Sequence, residues 1–170
     1  MADELKIEPP VADQAPRSVG FLVSQLGFFS SKRFAEALAP LGIVPREFLL
    51  LRFVAASAGQ SQQALAQKLG VPPSRMVALV DDLSERGLIE RRPDPDDRRV
   101  RGLHLTKAGR ATLERAAQTA IEYERKLCNP LSDAERDQLI DLLQKLQDEQ
   151  TELRGVHPGL GQEHPGAAAG

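Results

Sequence analysis

Residues 87–109, GLIERRPDPDDRRVRGLHLTKAG, decide how this chain folds. Two short apolar runs, Gly87-Leu88-Ile89 and Leu103-His104-Leu105, stand on either side of a turn rich in Pro, Asp and Arg. Apolar runs around such a turn predict a β-hairpin with a long polar tip. Arg98, Arg99 and Arg101 cluster at or near that tip, with only Val100 among them. From Arg86 to Arg101, six Arg stand against four acids (Glu90, Asp94, Asp96, Asp97), a local net of +2. A solvated face has the same composition. On a thin ribbon, however, arginines suit a narrow groove lined with phosphates, and the hairpin context favours nucleic acid.

Working outward, Val71-Pro72-Pro73-Ser74 opens a helix with Met76, Leu79, Val80 and Leu83 on one face, and Gly87 ends it. A short helix, Gln62 to Leu69, precedes it, opened by Ser61 and closed by Gly70. Two helices joined by a tight turn containing Gly are a helix-turn-helix. Further upstream, a helix starting near Pro45 carries Phe48 to Leu51, Phe53 and Val54 and stops at Gly59. The first helix, capped by Ser18, places Val19, Leu22, Val23, Leu26, Phe29 and Phe34 near a helical period and ends at Pro40 and Gly42. Downstream, Thr106 caps a long helix with Leu113, Ala116, Ala117, Ala120, Ile121 and Leu127, broken by Asn129-Pro130. Ser132-Asp133-Ala134-Glu135 is a capping box, opening a last helix with Leu139, Leu142, Leu143, Leu146 and Leu153.

The expected fold class is mainly α with a small β wing. A winged helix-turn-helix lobe occupies about 45–105, with further helices at about 18–40 and 107–153. The apolar stripes of the outer helices belong to no obvious small core, a pattern that predicts a homodimer. Residues 1–16, with three prolines, and the Gly/Pro-rich 155–170 are expected to be disordered, leaving 17–154 as the folded part.

The totals exclude several classes. An apolar fraction of 41% with 27% charged residues is that of a folded globular chain. Aromatics are 4% and Trp is absent, so the core rests on Leu, Val, Ile and Ala. The net charge of −2 gives no global sign of nucleic acid; the local distribution does. One cysteine, Cys128, permits no internal disulfide and fits a reducing cytoplasm. The acidic N-terminus is unlike a signal peptide, and no apolar stretch approaches ~20 residues, so no membrane span is expected. His104, His157 and His164 lack metal-ligand company; no metal or cofactor is expected. There is no phosphate loop or nucleophile motif, and the wing acids have no cleft in which to act, so no enzyme is expected.

Asp94-Pro95-Asp96-Asp97-Arg98-Arg99 followed by Leu103-His104-Leu105-Thr106-Lys107-Ala108-Gly109 resembles the wing signature of the MarR family of bacterial transcription regulators. Leu65-Ala66, Leu69-Gly70-Val71, Leu79-Val80-Asp81-Asp82-Leu83 and Arg86-Gly87-Leu88-Ile89-Glu90-Arg91 are similar to the same family. The resemblance covers about 18–153 and is sharpest from 61 to 109. It implies a triangular homodimer, with interlocked terminal helices at the apex and two winged lobes at the base. It further implies that the helix from Pro72 to Arg86 enters a major groove with Pro72, Ser74, Arg75 and Ala78 toward the bases. Arg99 would reach the minor groove, oriented by Asp97. A small aromatic effector, often phenolic or a carboxylate, would bind between the dimer and DNA-binding regions, and Phe28, Phe29, Phe48 and Arg52 are lining candidates beside a plain core role.

The residues carry their own reading beside this one. Arg75 is the one long donor in the first turn of the reading helix and suits a bidentate contact to guanine. Ser74 sits where a helix N-terminus meets phosphate, so backbone contact is its alternative. Ser61 and Gln62 are placed for phosphates, and Arg98 lies at the tip. Arg101, on the strand, either meets DNA or is simply exposed. Twofold symmetry predicts a near-palindromic operator on double-stranded DNA, with half-sites ~10 bp apart. Two alternatives stand: a redox-responsive regulator acting through Cys128, and a winged-helix protein–protein adaptor.

Overall fold

The computed structural model describes residues 18–93, 101–149 and 160. The chain divides into two compact units, Met1–Arg33 and Phe34–Gly170.

In the first unit lies most of helix α1 (Val19–Leu38). Ser18 Oγ caps it by accepting from the Phe21 amide at 3.2 Å. Val19, Leu22, Val23, Leu26, Phe28 and Phe29 are all exposed. Phe28 and Phe29 touch edge to face, 5.6 Å between centroids.

The second unit holds the core. After a single 3-10 turn (Ala39–Leu41) and the left-handed Gly42 come α2 (Pro45–Ala56), α3 (Gln62–Lys68) and α4 (Pro73–Glu85). Strands β1 (Ile89–Pro93) and β2 (Arg101–Leu105) form an antiparallel pair with Ile89 opposite Leu105 and Pro93 opposite Arg101. Helices α5 (Lys107–Leu127) and α6 (Asp133–Asp148) follow. The expected mainly α fold with a two-stranded wing is what the chain adopts. Leu50, Leu51 and Val54 of α2, Leu65 of α3 and Leu69 at its C-terminal end, Met76, Val80 and Leu83 of α4, and Ile89 and Leu103 of the wing form one buried cluster. Burying each such side chain contributes roughly 1.5–3 kcal/mol.

Two details depart from the sequence reading. Leu88, expected in the first apolar run of the hairpin, lies instead in the turn after α4, the helix that Gly87 ends as its place in the sequence suggests. Gly87 has φ 68°, which only glycine adopts without strain, and the Leu88 amide donates back to the Leu83 carbonyl at 2.8 Å. Within the tail expected to be disordered, Leu160 is fully buried in the core cluster. Burial of one leucine rivals the ordering cost of one or two residues.

Candidate nucleic-acid interface

Helix α4 is fixed in rotation by its buried face, Met76, Leu79, Val80 and Leu83. Its N-terminal half consequently presents Pro72, Pro73, Ser74, Val77 and Ala78 outward, with Arg75 half-buried beside them. Four of the expected reading residues thus lie on or beside one exposed surface. Val77, 42% exposed, was not expected there. Its signal in the sequence is its place off the apolar stripe and three residues after Ser74.

Ser61 is the N-cap of α3, its Oγ accepting from the Ala64 amide at 3.2 Å, and it bridges to Gly102 of β2. The hydroxyl proton remains as a donor. Gln62 Oε1 accepts from Arg91 at 2.9 Å, which leaves its NH2 group, the donor a phosphate needs, turned away from that bond. The same guanidinium of Arg91 pairs with Asp81 at 2.5 Å. One wing arginine therefore ties β1 to both helices of the helix-turn-helix, a contact that spacing along the chain does not reveal. Arg92 pairs with Glu90 at 2.5 Å, as nearest-neighbour reasoning suggests. Arg101 is exposed at the start of β2. Asp97, Arg98 and Arg99 lie outside the described residues.

The wing is held close to the lobe at its base. A Cβ on Gly102 would fall 2.5 Å from the Gly59 carbonyl oxygen, so only glycine fits. The Gly59 amide donates to the Leu103 carbonyl, and the Leu103 amide to the Gln60 carbonyl, both at 2.9 Å. At the far end of α4, Arg86 joins Asp82 at 2.7 Å, the buried Glu47 at 3.2 Å and the Gly42 carbonyl. Burial works against the charged guanidinium, but Asp82 and Glu47 outweigh it and hold its pKa above the ordinary value. Glu47 also accepts from the Val44 amide at 3.1 Å, satisfying a free donor at the start of α2.

Of the residues considered for an effector, Phe48 is a core residue. It meets Phe34 edge to face at 6.0 Å, and the Arg52 guanidinium stands 5.8 Å from its centroid. Tyr123, which sequence reasoning passed over, lies 5.3 Å from Phe34. Phe28 and Phe29 belong to the first unit. Cys128 Sγ lies 3.4 Å from Glu124 Oε1. Burial, then the carboxylate, push its pKa up and favour the less reactive thiol. Among the described residues no group of three or more His, Cys, Asp or Glu is placed to hold a metal ion, and no helix is long and apolar enough to cross a membrane.

The sequence profile of the MarR family matches residues 41–100. A putative transcriptional regulatory protein for the hcr operon of Thauera aromatica is 35% identical over 154 residues, 85% of this chain and 93% of that protein. This chain belongs to the MarR family. It is a transcriptional regulator of the MarR type. Two solved structures are similar to this MarR-family chain. The transcriptional repressor CouR, bound to a 23-mer DNA duplex, has a TM-score of 0.68 at 33% identity, covering 76% of this chain and 92% of that one. CouR from Rhodococcus jostii RHA1, bound to p-coumaroyl-CoA, has a TM-score of 0.64 at 32% identity, covering 78% and 94%.

Proposed function

We propose that this regulator is a cytoplasmic homodimeric repressor that reads a near-palindromic operator on double-stranded DNA and is released by a small aromatic effector. The observation that carries this reading is the exposed N-terminal face of α4, held outward by a buried back face and flanked by a hairpin whose base is tied to the same helix. A rigid reading helix beside a cationic ribbon suits a major groove and its neighbouring minor groove. Ser74, Arg75 and Ala78 face bases, Pro72 sets the helix entry, and Ser61 with the Gln62 amide nitrogen meets phosphates. Arg98, Arg99 and Arg101 supply wing contacts, with Asp97 orienting Arg99. CouR supports both halves of the reading, the duplex and an aromatic ligand. An effector that favours a spacing of the two reading helices unsuited to DNA weakens binding by its differential affinity for that state.

The test is duplex binding across a salt series, followed by selection from a random pool. A steep loss of affinity with salt and a recovered site with two half-sites ~10 bp apart are expected. Arg99→Ala weakens all sequences alike, whereas Arg75→Ala relaxes preference at one position per half-site by about 1–3 kcal/mol. A salt-independent response points instead to a protein–protein adaptor.

A further inference from the structure

We infer that Val77 is a specificity residue that reads the 5-methyl group of a thymine in each half-site, an inference resting on the proposal that α4 enters a major groove. Ser74, Val77 and Ala78 stand at i, i+3 and i+4, and all three are exposed on one side of α4. Between Pro73 and Leu79 the only charged side chain is Arg75. Of the acids in the second half, Asp81 is engaged by Arg91 and Asp82 by Arg86, and Glu85 is the last residue of the helix, at the end away from this surface. What the first two turns present is therefore a short, mostly uncharged surface. Ser74 and Ala78 are small, so the helix backbone comes near the bases and the branched Val77 projects furthest among the three.

In the major groove the one apolar feature on a base edge is the thymine methyl, while the other edges offer hydrogen-bonding atoms that valine cannot satisfy. A valine set against a donor or acceptor leaves that group dehydrated without a partner. Set against a methyl, it removes apolar surface of both partners from water. The same side chain thus favours thymine and disfavours the other three bases.

The experiment uses the full chain and the duplex recovered from the random pool, with each thymine replaced in turn by deoxyuridine, which removes only the methyl. The wild-type chain is expected to lose about fourfold in affinity at one thymine per half-site, the factor set by one buried methyl-sized group. Val77→Ala is expected to bind thymine and uracil duplexes equally, and Val77→Ile to keep the penalty. Indifference of the wild type to every substitution overturns the inference, and so does a penalty that persists undiminished in Val77→Ala. Failure of the wild type to bind any duplex at low salt overturns the DNA-binding proposal itself, a separate result.

Discussion

Gly109 has room for a hydrogen atom and nothing larger. A Cβ built there would lie 1.9 Å from the Leu88 carbonyl oxygen, which also accepts from the Thr106 amide at 3.1 Å. Thr106 Oγ1 in turn accepts from the Gly109 amide at 2.9 Å, so the first turn of α5 clamps the segment leading into β1. Gly109→Ala must push two backbones apart. It is expected to cost roughly 2–3 kcal/mol, lowering the melting temperature by roughly 5–10 °C for a chain of this size. Thermal denaturation followed by circular dichroism checks this; an unchanged midpoint contradicts the close approach. The glycine is plain in the sequence, yet its reason lies in a backbone reached only through the hairpin. Gln62 was legible in the same partial way. Its place at the opening of α3 follows from Ser61 and the helical pattern, but the loss of its carbonyl oxygen to Arg91 depends on how the wing folds back. Val77 is the converse case: its position off the apolar stripe was readable, and its exposure followed once α4 packed on Met76, Val80 and Leu83.

A two-stranded ribbon is marginal by itself, and this one depends on its neighbours. Gly59, Gln60 and Ser61 bond along β2, and Arg91 reaches across to α4 and α3. Arg91 and Asp81 are 30% and 49% exposed, so their pairing adds at most about 1 kcal/mol to stability. Arg91→Ala is therefore expected to leave the melting temperature nearly unchanged while loosening the wing relative to α4. Affinity for operator and random duplex should fall together by roughly tenfold, the equivalent of ~1.4 kcal/mol of lost preorganisation; loss confined to the operator would contradict this. The start of α6 makes a pH prediction. Ser132 Oγ accepts from the Glu135 amide, while the Ser132 amide and hydroxyl donate to Glu135 Oε2 at 2.8 and 2.6 Å. These bonds hold the Glu135 carboxyl below its ordinary pKa. A depressed folded-state pKa means the cap is fully present above the ordinary carboxylate value and is lost as pH falls through the lower folded one. Hydrogen exchange at the first amides of α6 should quicken in that acid window, and Glu135→Gln should remove the pH dependence. This cap was legible from Ser132-x-x-Glu135, because every partner lies within one turn. The bounds of β1 were not, since the apolar Leu88 belongs to a turn fixed by Gly87 and the carbonyl of Leu83.

Among the described residues, most buried apolar side chains belong to the lobe, and most exposed ones, Val77 apart, to the helices on either side of it in the chain. On α6, Leu139, Ile140, Leu142, Leu143 and Leu146 are between 41% and 51% exposed. On α1, Val19, Leu22, Leu26 and Phe29 are between 48% and 64% exposed. Helical periodicity showed these stripes in the sequence; what covers them was not readable, because a stripe for an internal neighbour and one for a second copy have the same period. Exposed apolar stripes of this size make a lone chain prone to association, and a closed twofold pair is the commonest way to cover them. The double variant Leu142→Glu with Leu146→Glu places carboxylates on that stripe without touching the buried cluster of the lobe. It is expected to sediment as a folded monomer with the wing and α4 intact. Linking two half-site readers raises affinity by roughly 10²–10⁴ over one reader alone, so the variant should lose about that factor on the two-half-site operator. Its binding to an isolated half-site should match that of the parent, because the charge change lies outside the reading face. Sedimentation velocity and duplex titration together decide the matter. A variant that remains dimeric would place the interface elsewhere, and a monomer that holds the operator as tightly as the parent would show that twofold symmetry is not what this regulator uses to find its site.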